Sequence, residues 1–239
     1  MFSFASAPGF DFEIADCIIW YFIFVYTTVI HEAGHAWAAM KLGDRTAYEG
    51  GQVSLDPTPH IKREPFGMVL APLVSWFLYE GKWMLGWASA PYDPRWAQSF
   101  PRRAAWMAMA GPGADLLVLL VAGGLLKLGL TAGVFLIPDE ITLDHVVAGA
   151  AGNRIWEGAA MFLSLTFSLQ VVGLVLNLLP LPPFDGSAFP LFFVNERMAT
   201  KYLDLVWNPA FRFFGLLLGW KIFRTVFWPV FDFVLDLLY

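Results

Sequence analysis

The run from Cys17 to Met40, CIIWYFIFVYTTVIHEAGHAWAAM, exceeds the roughly 20 apolar residues that a helix needs to cross a bilayer, and His-Glu-Ala-Gly-His interrupts it at 31–35. On a helix, His31 and His35 share one face a turn apart, with β-carbons about 5–6 Å from each other. That spacing lets two imidazoles hold one zinc ion. Glu32 lies about 100° round the helix, beside the metal, where its carboxylate can take a proton from a zinc-bound water. The plainer reading is a pair of histidines hydrogen-bonded to neighbouring helices. An ionised group at mid-helix costs roughly 2.5–3.5 kcal/mol on translocon scales, so polar residues there usually serve a purpose. The segment therefore reads as a metallohydrolase site set inside a membrane.

Composition agrees with a membrane protein. The chain has 239 residues, 58% hydrophobic and 15% charged, where soluble domains average about 45–50% apolar and about 25% charged. No basic stripe points to nucleic acid, and the formal charge of −5 says little about partners, because the distribution of Lys and Arg matters more than their sum. The single cysteine, Cys17, excludes a disulfide within the chain and any Cys-rich zinc or iron–sulfur site. Residues 1–16 contain neither Lys nor Arg, so they lack the basic region of a signal peptide, and the first span is expected to stay as an uncleaved anchor.

Further spans are expected at about 104–126 and about 159–179, separated by a polar-to-mixed loop at about 127–157. Gly50-Gly51, Pro57 and Pro59 bracket a short extended stretch at Gln52–Leu55, which reads as turn, strand, turn. Phe66–Tyr79 is too short for a comfortable span, and Glu80-Gly81-Lys82 interrupts it, so a re-entrant hairpin over 66–90 competes with a full crossing. The tail 209–239 is apolar but broken by charges; one tilted span followed by an interfacial helix is one arrangement open to it, and the sequence does not decide.

The basic residues favour the hairpin. With 66–90 re-entrant, Lys41, Arg45, Lys62, Arg63, Lys82, Arg95, Arg102 and Arg103 fall on one side, leaving Lys127 and Arg154 on the other. The positive-inside rule then puts 41–103 and 186–208 in the cytoplasm. The expected fold class is an all-α polytopic membrane protein of about 4–6 transmembrane or re-entrant helices. A short membrane-associated β segment is expected near 51–56. The chain reads as a single membrane-embedded domain, with a core over 17–190 and a helical tail over 195–239.

A catalytic zinc takes three protein ligands and a water. The remaining histidines are His60 and His145, so the candidates for a third ligand are mostly carboxylates. Asp185 follows Pro180, Pro182 and Pro183, which end a spanning helix and free local backbone groups. Irregular backbone at membrane depth needs burial in protein or a wet cavity. Asp185-Gly186 reads either as an ordinary turn or as the missing ligand, and the unfinished histidine pair favours the ligand. Asn177, two turns earlier, reads as a donor to a tetrahedral oxyanion or as an inter-helix hydrogen bond.

HEAGH in the first span and NLLPLPPFDG at 177–186 resemble the paired signatures of the site-2 protease family, zinc metalloproteases that cleave within membranes. HAWAAMKLGDRTA (35–47), GQVSLDPTPHI (51–61), GWASAPYDP (86–94) and AGPGAD (110–115) are similar, in the same order, to segments of a compact prokaryotic branch without a PDZ insertion. The resemblance covers about 25–190 and leaves out the first 16 residues and the tail after about 195. It implies one Zn2+ per chain, with His31, His35 and Asp185 as metal ligands, Glu32 as catalytic base and acid, and Asn177 as a catalytic residue positioning the carbonyl. It also implies a strand near 51–56 that pairs with an unwound substrate by edge addition, and a packing motif at Gly111, Pro112 and Gly113. The implied partners are transmembrane protein substrates and the lipid bilayer, with no nucleic acid, in a multi-pass prokaryotic plasma membrane.

Two positions depart from the family pattern, Asp56 and Asp115, each where Asn is usual. An extra carboxylate near a zinc site could be a structural acceptor, a weak ligand or a cause of altered pH dependence. His60 reads mainly as a loop hydrogen bond, and His145 receives no role. The rival functions are an inactive homologue that binds membrane clients and a His-ligated membrane redox or metal-handling protein.

Overall fold

The computed structural model of the chain describes residues 14–150 and 152–239. The expectation of an uncleaved anchor rests mostly on residues outside that range. Among the described residues, four helices are long and apolar enough to cross a membrane. They are α1 (Ile14–Leu42), α6 (Pro101–Thr131), α7 (Arg154–Asn177) and α9 (Pro209–Leu238). Between them lie α2 (Thr46–Glu49), α3 (Pro57–Arg63), α4 (Ala71–Leu78), α5 (Pro94–Ser99) and α8 (Glu196–Trp207), and a small hairpin of β1 (Phe135–Leu136) and β2 (Ala148–Gly149). This is the expected all-α polytopic architecture.

The end of α1 is sharply defined. Gly43 takes φ +107, its N–H donates to Met40 O (3.4 Å), and Asp44 N–H donates to Ala39 O (2.9 Å). These are the paired bonds of a helix that stops at a left-handed glycine. The buried Asp44 carboxylate then organises the chain beyond the helix. Oδ1 accepts from Thr46 N (2.9 Å) and Thr46 Oγ1 (2.6 Å), and Oδ2 accepts from Asp93 N (2.8 Å). One side chain thus ties the start of α2 to the approach to α5.

α6 lies against both α1 and α7. α1 and α6 meet backbone to backbone at Gly34, where a β-carbon would stand 2.8 Å from Ala110 O. Small residues permit such an approach within a membrane, where shape rather than water exclusion drives helix packing. One apolar cluster joins α6, α7 and α9 through Leu126, Phe167, Val171, Phe223 and Phe231. A second joins α1 to the 66–90 hairpin through Trp20, Ile23, Met68 and Trp76.

Three local expectations are corrected or decided. The β segment expected near 51–56 is an irregular turn, with no strand ladder. Its polar groups are committed locally: Gln52 N–H donates to Ala47 O (2.9 Å), Ser54 O accepts from His60 Nε2 (3.1 Å), and Asp56 Oδ1 caps α3 through Thr58 N (2.9 Å). Strand pairing occurs instead at Phe135↔Gly149 and Leu136↔Ala148, inside the polar-to-mixed loop expected at about 127–157.

Residues 66–90 fold back on themselves. A π-helical turn at Phe66–Leu70 leads into α4, the chain reverses where Glu80 and Gly81 take positive φ, and Trp87 N–H returns to Gly67 O (3.1 Å). The segment is a hairpin, and the end of α1 meets the start of α6, where Arg103 Nη1 donates to Leu42 O (3.1 Å).

The tail is also reordered. The short amphipathic helix α8 comes first, and α9 follows as one continuous helix, with Asn208 Oδ1 capping its start through Ala210 N (2.9 Å). Pro229 lies inside α9 without ending it.

Candidate metal centre

His31 and His35 project from α1 toward α6, and both are buried. Both Nδ1 atoms are committed to α6. His35 Nδ1–H donates to Met107 O (2.9 Å), a carbonyl that can only accept, and His31 Nδ1–H donates to Asp115 Oδ2 (2.8 Å). In the neutral rings each Nε2 therefore carries a lone pair. Those two atoms lie 3.0 Å apart.

Asp185 opens a 3-10 segment, Asp185–Phe192, that lies against α6. Its Oδ2 is 3.2 Å from His31 Nε2 and 3.3 Å from His35 Nε2, and it is buried without a hydrogen-bond partner among the described residues. With both rings neutral, three electron-pair donors converge here, an arrangement that a cation would satisfy. Ligands arranged tetrahedrally at about 2.0–2.1 Å from zinc stand about 3.3–3.4 Å apart, so the observed triangle is close to what such an ion requires. The donor set of two imidazoles and a carboxylate suits zinc.

Glu32 is buried on the next position of α1, and a carboxylate oxygen lies within 4.8 Å of a ring nitrogen of each of His31 and His35. With Asp185 Oδ2 completing the triangle, the Glu32 carboxylate is left beside it. Gly111 forms the other wall. A β-carbon there would overlap His35 Nε2 and stand 2.7 Å from His31 Cε1. Gly113, two residues on, faces open space, so only part of the expected Gly-Pro-Gly motif packs against the histidines.

Asp185 is brought to this depth by a tight turn. α7 ends at Asn177, so Asp185 lies beyond the helix rather than two helical turns further along it. The chain turns through Leu178–Phe184, and Gly186 is packed so closely beneath Leu178 and Leu179 that a β-carbon would overlap their carbonyls. From the far side, α9 supports the turn: Gly215 abuts Pro182 O and Gly219 abuts the Phe184 ring. Asn177 is partly exposed, and its side chain makes no hydrogen bond among the described residues.

The two departures from the family pattern take different places. Asp115 is buried and receives the His31 proton; an Asn could accept there too, but without the charge. Asp56 is an exposed helix cap, and hydrogen bonds from the Thr58 side chain and backbone hold its carboxyl below the ordinary range. Asp and Asn cap helices about equally well. His60 is fully buried and away from the histidine pair; its Nε2–H donates to Ser54 O, and Gln52 Nε2 approaches its Nδ1 at 3.5 Å. His145 sits exposed in the β1–β2 loop. The Met107 carbonyl was invisible in the sequence, because any residue type offers one.

No family model matches the chain, and no solved structure matches it. Among named proteins, it is 30% identical over 207 residues to "Putative zinc metalloprotease YwhC" of Bacillus subtilis, covering 86% of this chain and 82% of that protein. It is 32% identical over 204 residues to "Putative zinc metalloprotease Rip2" of Mycobacterium tuberculosis, covering 83% of this chain and 68% of that protein.

Proposed function

The chain belongs to the site-2 protease family of zinc metalloproteases, and from that premise we propose that it hydrolyses peptide bonds of transmembrane substrates at a zinc site held by His31, His35 and Asp185. The observation that carries this reading is the convergence of the two Nε2 lone pairs and Asp185 Oδ2 within 3.0–3.3 Å, on and beside a helix long and apolar enough to span a bilayer.

A zinc ion bound there supplies Lewis acidity, lowering the pKa of a coordinated water toward about 7 and polarising a scissile carbonyl. Glu32 takes the proton of the attacking water and passes it to the leaving amine. Met107 O and Asp115 hold the imidazoles in the tautomer that presents Nε2. Asn177, with its amide uncommitted at the end of α7, donates to the substrate carbonyl as charge develops on oxygen. A helical substrate must unwind first, because its carbonyls are bonded and shielded.

With 66–90 folded back as a hairpin, the segments 43–100 and 178–208 share one side, and the positive-inside rule favours the cytoplasm of a prokaryotic cell for it. Asp185 lies in the second of these segments, so water reaches the site from the cytoplasmic side.

The test compares wild-type protein with Glu32→Gln in cells, by membrane proteomics and by zinc analysis of the purified protein. The expected result is a single-span fragment that accumulates only with the variant, whose zinc content is unchanged. Identical membrane proteomes would refute the catalytic reading, and a visible chromophore with no zinc would favour a redox protein.

A further inference from the structure

A groove of about 710 Å³ opens between the start of α6 and the start of α8, lined by Phe100, Arg102, Arg103, Phe193, Arg197 and Met198, with Glu196 among them. Three guanidiniums against one carboxylate leave it net positive. Among the described residues none of the three arginines is paired with a carboxylate. Arg102 Nε–H donates to Phe192 O (3.3 Å), and Arg103 Nη1 donates to Leu42 O (3.1 Å) while lying over the Phe100 ring at 4.5 Å. A guanidinium has five N–H donors, so most remain for a ligand. Arg197 uses none of its donors on the described residues.

The groove sits where the bilayer boundary must fall. Arg102 and Arg103 occupy the first turn of α6, a spanning helix; the exposed rings of Phe100 and Phe193 line the groove with them, and exposed Trp106 follows one turn along α6, as in an aromatic belt. Following one face of α6 from Arg102 at helical steps leads through Trp106, Gly113, Leu117 and Leu120, all exposed. A cationic head therefore continues directly into a lipid-facing apolar stripe. The amphipathic helix α8, which buries Ala199 and Leu203 and turns its charges outward, closes the other side.

We propose that this groove binds the phosphate headgroup of an anionic phospholipid, with the acyl chains lying along Trp106, Leu117 and Leu120. Guanidiniums bind phosphate oxygens in pairs, and basic residues at the cytoplasmic end of a spanning helix or on an amphipathic helix attract anionic headgroups. An acidic peptide would also satisfy the arginines, but at the first turn of a spanning helix the anions continuous with the apolar stripe are lipid headgroups. Phe192, whose carbonyl Arg102 holds, ends the 3-10 segment that begins at Asp185, so the headgroup also bears on the element carrying that carboxylate.

Purified full-length protein in mild detergent is titrated with phosphatidylglycerol or phosphatidylcholine of equal acyl length and read by native mass spectrometry. Phosphatidylglycerol is expected to bind about tenfold more tightly, and Arg197→Gln to weaken it about fivefold, on the scale of one basic residue near an anionic surface. Arg197 makes no side-chain bond among the described residues, so this variant keeps its structure; adding Arg102→Gln removes the remaining preference. Lys221→Gln with Arg224→Gln, in a separate groove along α9, leaves it unchanged. Equal binding of the two lipids, an unaltered Arg197→Gln, inorganic phosphate binding as tightly as the lipid, or displacement of the lipid by a polyglutamate peptide would each overturn the assignment.

Discussion

His31 and Asp115, 84 positions apart, share a buried 2.8 Å hydrogen bond from ring Nδ1–H to carboxylate Oδ2. The bond joins α1 to α6 and decides which nitrogen of His31 faces His35 and Asp185. A carboxylate in that place also raises the basicity of the ring as a ligand. Asp115→Ala is therefore expected to lower zinc affinity by about 10–100-fold, measured by competition with a chromogenic chelator. Asp115→Asn keeps an acceptor and should fall between the alanine variant and the wild type.

Gly111 is required by contact rather than by backbone conformation. Gly111→Ala places a methyl group against both imidazoles, and the expected outcome is loss of most bound zinc with helical content unchanged by circular dichroism. Gly113→Ala is the matched control. Its β-carbon meets nothing within 4 Å, so zinc content should not change, and replacing a helical glycine by alanine should stabilise by roughly 0.5–1 kcal/mol.

His60 provides the opposite contrast, a buried histidine with a structural duty. Removing its ring leaves Ser54 O without its donor. His60→Ala should destabilise the protein by on the order of 1–3 kcal/mol while zinc stoichiometry stays at the wild-type value, as read by thermal unfolding and metal analysis. Loss of zinc at unchanged stability would contradict this assignment.

The tail acts on the site through the turn that leads into Asp185. Gly215 packs on the carbonyl of Pro182, in the turn that leads into Asp185. Gly215→Val is expected to push α9 away from that turn, displace Asp185 and reduce zinc retention in a chelator challenge. Val230→Ala, on the same helix but away from the turn, should leave retention intact.

The hairpin sets the sidedness of the chain. In a background with Cys17 replaced, single cysteines at Glu49, Gln98 and Asp204 should react with a membrane-impermeant maleimide from one side, and a cysteine at Asp139 from the other. Labelling of Glu49 and Gln98 from opposite sides would mean that 66–90 crosses after all.

The sequence by itself determined the class of the molecule and the local placement of the histidine pair. A long apolar run must be helical where no water can bond its backbone, and helical periodicity alone puts His31 and His35 on one face. The positions of the spans came from the same hydropathy, to within a few residues at each end. The tertiary structure decided everything that depends on one segment meeting another. Hydropathy could not tell a hairpin from a crossing at 66–90, because the answer lies in the bond between Trp87 and Gly67. An extended pattern at Gln52–Leu55 could not become a strand once Ala47 and His60 had claimed its polar groups. The tautomers of His31 and His35 depend on Met107 O and Asp115, and the place of Asp185 depends on α9 behind its turn. The bonds around Gln52–Leu55 are local but irregular, and the others join residues far apart in the chain; periodicity, which describes only regular repeats over a few residues, carries no information about either.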